Sequence, residues 1–208
     1  MTKTYKLLLL SVFLFPFNQT QASSLDLSGY LSLALGLGGD RLLEIGYTDG
    51  TKGTTYAGNG ASVIVGSTLR NNYFETRAGI GFMSVRQTGD NGGAGFRRWV
   101  AEGTGLIRLG REKKHMIGGG VVYHIKPVLE CEFTGLCQDY TYFKNALGYT
   151  VEYNYVFDGG NPNYMDTYAI ALLFFTRVQI VKYQINDSTS NYTADGSGIS
   201  MGVAVTWY

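Results

Sequence analysis

Gly198-Ile199-Ser200-Met201-Gly202 has the G-x-S-x-G spacing of a nucleophile elbow. That motif activates its serine only where a strand turns sharply into a helix and exposes the hydroxyl beside a base. Here Ile199, Met201, Val203, Val205 and Trp207 alternate with Ser200, Gly202, Ala204 and Thr206, a strand pattern with no helix behind it. Ser200 therefore reads as a small strand residue. The chain has two histidines. His124 could act as a general base if a nucleophile and an acid stood beside it, and otherwise is an interior or rim polar group. His115, next to Lys113 and Lys114, lies at the opposite end of the same candidate strand, so the pair cannot share a metal.

Gly36-Leu37-Gly38-Gly39, Gly79-Ile80-Gly81 and Gly118-Gly119-Gly120 are glycine-rich, but none opens a helical pattern or carries a P-loop Lys-Ser/Thr pair. They suit strands that curve or clear a crowded interior, and no cofactor is expected. Cys131 and Cys137 are the two cysteines. Their short spacing, with Gly135 between them, lets the chain fold back, and the sequence predicts a disulfide inside a loop. The net charge of +1 and the absence of a basic block exclude nucleic acid as an expected partner.

The elements that must position these residues are strands. Residues 1–22 have the form of a secretory signal, with Lys3 and Lys6, the apolar run Leu7 to Phe17 and the exit Thr20-Gln21-Ala22. Residues 23–208 then form one domain. No later run is long and apolar enough for a membrane helix, while 29 Gly, 16 Tyr and 11 Phe in 208 residues disfavour long helices and suit strands. Period-two alternation predicts strands near 25–47, 52–69, 74–87, 97–109, 115–126, 140–157, 167–185 and 198–208. Asp49-Gly50 is a hairpin signal, and Gly38-Gly39-Asp40 is read as a bulge within a long first strand. Both later prolines, Pro127 and Pro162, are expected in connections, as are Thr88 to Phe96, Pro127 to Asp139 and Asn186 to Ser197 on the outer side.

The faces of these strands are unlike. Leu25, Leu27, Leu31, Leu33 and Leu35 oppose Asp26, Ser28, Tyr30, Ser32 and Ala34, so bulky apolar side chains back onto small or polar ones. That pattern fits an all-β fold, an eight-stranded antiparallel up-and-down transmembrane β-barrel with its apolar face in lipid. A soluble barrel of lipocalin type would have to crowd those rows into a narrow lumen. Strand parity turns Glu75, Arg77, Arg98, Glu102, Arg108, Lys144, Glu152 and Arg177 inward as a polar network that should fill the lumen. Phe74, Tyr155, Phe157, Tyr168 and Trp207 should ring the periplasmic interface, and Trp99, Tyr123 and Phe143 the outer one.

The runs GLGGDRLLEIGYTDGT, FRRWVAEG, GGGVVYH, FKNALGYTVEYNYVF and FTRVQ resemble small outer-membrane barrel proteins of Gram-negative bacteria, of the OmpA/OmpX-like eight-stranded type. The resemblance implies the cell outer membrane as location and carries no assigned chemistry. It also implies contact with outer-membrane lipid and lipopolysaccharide, and capture by the barrel assembly machinery through Gly202-Val203-Ala204-Val205-Thr206-Trp207-Tyr208. In the family of outer-membrane lipid A deacylases the serine follows the histidine by two residues, where this chain has Lys126. The expectation is thus a barrel without an enzyme site, acting in surface interaction or envelope integrity. A narrow pore or small-ligand carrier is the alternative, which a cavity lined by Tyr30, Lys126 and Tyr142 would favour. A lipid-modifying enzyme is the third class.

Overall fold

The structure is a computed structural model that describes residues 25–135, 137–159, 170–187 and 191–207. Its strands are β1 (Asp26–Gly38), β2 (Arg41–Gly46), β3 (Lys52–Tyr56), β4 (Gly60–Arg70), β5 (Phe74–Gly89), β6 (Gly92–Leu109), β7 (His115–Phe133), β8 (Cys137–Tyr142), β9 (Ala146–Gly159), β10 (Ile170–Gln184), β11 (Thr193–Asp195) and β12 (Gly198–Trp207). Neighbours pair antiparallel in the cyclic order β1, β4, β5, β6, β7, β9, β10, β12, and β12 returns to β1 from Gly29↔Trp207 to Gly38↔Gly198. Eight strands therefore close with no free edge, which satisfies every ladder hydrogen bond without water. We call the end holding Asp26 and Trp207 the base and the opposite end the crown.

The first strand does not continue through Gly38-Gly39-Asp40. Gly38 and Gly39 have φ of 126° and 81°, values that end β1, and β2 and β3 form a separate hairpin above the barrel. That hairpin reverses at Asp49-Gly50, with Tyr47 N–H on Thr51 O at 2.9 Å. The Thr51 hydroxyl and N–H both donate to Asp49 Oδ1, and together they hold its carboxyl below the usual range.

The crown is strand where connections are expected. β5 and β6 run on to Gly89 and Gly92, leaving a turn at Asp90-Asn91, and β7 runs through Pro127 to Phe133. Pro127 is tolerated there because Lys126 adopts φ 48° and the pairing jumps from Arg97↔Val128 to Trp99↔Ile125, a bulge at which no N–H is required. β8 pairs with the upper part of β7, and the disulfide Cys131–Cys137 ties the two with Cα atoms 5.7 Å apart. Cys131→Ser is expected to cost the β7–β8 turn about 2 kcal/mol by the chain-entropy estimate while leaving the barrel folded. Limited proteolysis that cleaves the variant near Thr134 and spares the wild type checks it.

Candidate functional site

The inward face of the barrel is where polar chemistry collects. On β5 and β6 the period of two turns Glu75, Arg77, Arg98, Glu102 and Arg108 inward, on β9 Glu152 and Asn154, and on β10 Arg177. Ladder register then sets who meets whom. Arg108 Nη2 donates to Glu75 Oε2 at 2.9 Å, and Arg77 Nε to Glu75 Oε1 at 2.7 Å. Arg77 Nη1 reaches Glu152 Oε1 at 3.1 Å and Asn154 Oδ1 at 2.9 Å, while Asn154 Nδ2 returns to Glu152 Oε1 at 2.8 Å. Arg177 Nε holds the other oxygen of Glu152 at 2.7 Å, and its Nη1 holds Glu102 Oε2 at 2.6 Å. Tyr30 on β1 closes the series, its hydroxyl donating to Glu102 Oε1 at 3.0 Å.

The sequence Arg108, Glu75, Arg77, Glu152, Arg177, Glu102 alternates in sign and is neutral as a whole. Glu75 and Glu152 are 0% and 1% exposed, so the carboxylates have exchanged water for charged donors. Each interior member has two oppositely charged neighbours, which is the condition under which buried charge is tolerable. Tyr30 and Asn154 are members that charge alone does not reveal; their signal is inward parity, Tyr30 standing between the small residues Ser28 and Ser32.

Tyr30 crosses the lumen over glycines. A Cβ on Gly79 would stand 2.2 Å from its hydroxyl oxygen, and one on Gly66 2.6 Å from its ring. Gly79→Ala is therefore expected to push Tyr30 off Glu102 and destabilise the barrel by about 1–3 kcal/mol. Gly103→Ala, whose Cβ would meet nothing within 4 Å, should leave the urea midpoint near that of the wild type.

Apolar side chains fill both ends of the lumen. Leu106, Met116, Leu173 and Phe175 cluster toward the base, and Phe96, Phe143, Tyr183 and Val181 toward the crown. Between them a void of about 30 Å³, bordered by Ser32, Ser62, Ser200 and Gln179, has room for water only. Ser200 is thus a strand residue on that void, within the G-x-S-x-G run. His124 is buried, its Nδ1 3.0 Å from Tyr183 Oη, and His115 is exposed, its Nδ1 2.7 Å from Tyr153 Oη. Tyr30 sits in mid-lumen while Lys126 and Tyr142 are exposed on the crown, so the three do not share a cavity.

Two expected placements fail. Lys144 is exposed at the crown, its Nζ on Gln184 Oε1 at 3.2 Å, because β9 begins only at Ala146 and strand parity does not extend to it. Phe143, in an isolated bridge to Ile185, turns inward at 4% exposure against Phe96 and Tyr183 instead of joining the outer girdle.

The outside is the inverse of the lumen. Leu33, Val63, Ile80, Val121, Val151 and Val178 are each 45–61% exposed around the wall. Trp207 and the Phe157–Phe174 pair stand toward the base, with Tyr155 beside His115 and Phe74 half-buried. Trp99, edge-on to Phe82, and Tyr123 stand toward the crown. Tyr168 lies outside the described residues. An exposed apolar belt around buried charge is what a barrel in hydrocarbon requires and what one in water forbids. The chain is an eight-stranded transmembrane-type β-barrel.

No family model matches this barrel, and no curated protein sequence does. Among solved structures it is similar to Neisserial surface protein A, NspA, at 12% identity and TM-score 0.48, over 88% of this chain and 98% of that one. It is similar too to Ail, the attachment invasion locus protein of Yersinia pestis, in complex with the heparin analogue sucrose octasulfate. There the identity is 12% and the TM-score 0.48, over 89% of this chain and 99% of that one. Likeness at this level carries no argument about ligand or partner.

Proposed function

We propose that this barrel is a non-enzymatic protein of the outer membrane, exported through a cleaved signal peptide at residues 1–22, with its crown facing outward. Its role is surface interaction or envelope integrity. The observation that carries this reading is a lumen closed by a neutral chain of ion pairs between apolar layers, beneath a crown built of strand. Among the described residues such a barrel has no path for solute and no assembled nucleophile, and the exposed crown is the part left to meet a partner. The apolar belt would contact outer-membrane lipid and lipopolysaccharide, and the C-terminal strand would engage the assembly machinery.

Two measurements test it. Membrane fractionation of the native host is expected to place the mature chain with an outer-membrane marker, and labelling of intact cells should modify a cysteine placed at Asp90 on the crown. Planar-bilayer recording should show no steady conductance from the wild type; a stable ion-selective current would instead support a narrow pore through the serine-lined void.

A further inference from the structure

A cavity of another kind lies on the crown. A cleft of about 440 Å³ opens where three turns converge: the reversal of the β2–β3 hairpin, the β5–β6 turn and the beginning of the β7–β8 turn. Its size is that of a small-ligand site. The turns hold one another in place. Thr134 N–H donates to Asn91 O at 3.0 Å, which fixes the β7–β8 turn to the β5–β6 turn, and the Cys131–Cys137 disulfide closes the former. Gln87 Nε2 donates to Thr54 O at 3.4 Å, which fastens the hairpin to β5.

Two glycines make room for the aromatic part of the wall. A Cβ on Gly89 would stand 2.9 Å from Tyr47 Cε1 and 3.5 Å from Phe133 Cε1, and a Cβ on Gly53 would stand 2.7 Å from Tyr47 Oη. Both rings therefore reach over Gly89, Phe133 buried and Tyr47 half-buried.

The polar part of the wall is unlike the rest of the crown. Elsewhere charges are paired, Glu44 with Arg41 and Lys52, Glu130 with Arg97, and Glu132 with Arg86. Around the cleft, the side chains of Thr88, Asp90, Asn91 and Thr134 make no hydrogen bond or ion pair among the described residues. Asp49 is held through one carboxylate oxygen by Thr51, and its other oxygen has no partner among the described residues. No Lys or Arg lines the cleft.

These groups select a ligand by what they can exchange. Two carboxylates only accept, while an amide and several hydroxyls both donate and accept, which suits a molecule carrying many hydroxyls. Hydroxyls donating to carboxylates make short, charge-assisted hydrogen bonds, and an aromatic wall suits the C–H face of a pyranose ring. A phosphate, sulfate or uronate would meet two like charges and no cation. A lysine or arginine side chain would answer the carboxylates but has no acceptor for the amide and hydroxyl donors.

We propose that the crown cleft binds a neutral hexose unit of a glycan, with its hydroxyls on Asp49, Asp90 and Asn91 and its ring against Tyr47. The site gives the surface-interaction reading a ligand class and rests on that reading for its outward orientation. Binding by the purified protein does not depend on orientation, so the two fail separately.

Full mature protein refolded in a sugar-free zwitterionic detergent tests it, by saturation-transfer difference NMR against the methyl glycosides of glucose, galactose, mannose and N-acetylglucosamine. At least one is expected to saturate with a Kd of about 1 mM, and Asp90→Ala to weaken it about tenfold. Asp90 has no side-chain partner to lose, so that variant should fold; if it does not, Asn91→Ala takes its place with the same expected loss. Glu130→Ala, outside the cleft, should bind as the wild type does. No saturation by any of the four, tighter binding of glucose 6-sulfate or of tetralysine, unchanged binding by Asp90→Ala, or an equal loss in Glu130→Ala overturns the proposal.

Discussion

Glu152→Ala should destabilise the barrel by about 3–5 kcal/mol, the cost of breaking a buried ion pair by removing one partner. Glu152 is the middle of the chain of charges, accepting from Arg77 through one oxygen and from Arg177 through the other, at 1% exposure. Its removal leaves Arg77 with Glu75 alone and Arg177 with Glu102 alone, and the buried chain of charges with one positive charge in excess. Glu130→Ala is the control, since its partner Arg97 keeps 53% of its side chain exposed and such a pair contributes less than about 1 kcal/mol. Urea titration of the protein folded in lipid vesicles measures both. Coinciding midpoints for the two variants would show that the lumen is wet and the ion pairs are screened. Glu152→Ala should also admit brief conductance events in planar bilayers that the wild type lacks.

Val203→Arg should cost about 2–4 kcal/mol, against about 0–1 kcal/mol for Ile170→Arg. Val203 lies on the outward face of β12, between Leu33 of β1 and Phe174 of β10, in the middle of the belt. Ile170 begins β10 at the base beside Trp207, where an arginine can reach the interface. Thr206 would look like a mild rim position by its place near the end of the chain. It is fully buried in the lumen, so an arginine there meets overpacking instead of water. Folding yield in vesicles separates the variants, and equal yields for Val203→Arg and Ile170→Arg would mean that β12 presents the other face to lipid.

The alternation of residue types determined, without any structure, that the chain is a narrow antiparallel barrel with its apolar rows outside. It also turned Glu75, Arg77, Arg98, Glu102, Arg108, Glu152 and Arg177 to the inner face, because successive strand residues point to opposite sides whatever the strand pairs with. Asp49-Gly50 likewise marked a reversal through its own backbone preferences. Alternation fails where strands end. Lys144 and Phe143 precede β9, and Gly38-Gly39 ends β1 through positive φ, so parity counted through them assigns the wrong face or a continuous strand.

Pairing was beyond the sequence for a different reason. Which acid meets which base depends on the stagger between neighbouring strands, and in a closed barrel every stagger must sum to one shear around the ring. The bulge at Lys126 is part of that sum: it shifts β7 against β6 beside Arg98 and admits Pro127 into a strand. Closure alone therefore decided that Glu152 bridges two arginines, that Tyr30 reaches Glu102 over Gly79, and that no carboxylate among the described residues pairs with Arg98. Side-chain direction is a local property of each strand, whereas contact across the lumen exists only once all eight are joined.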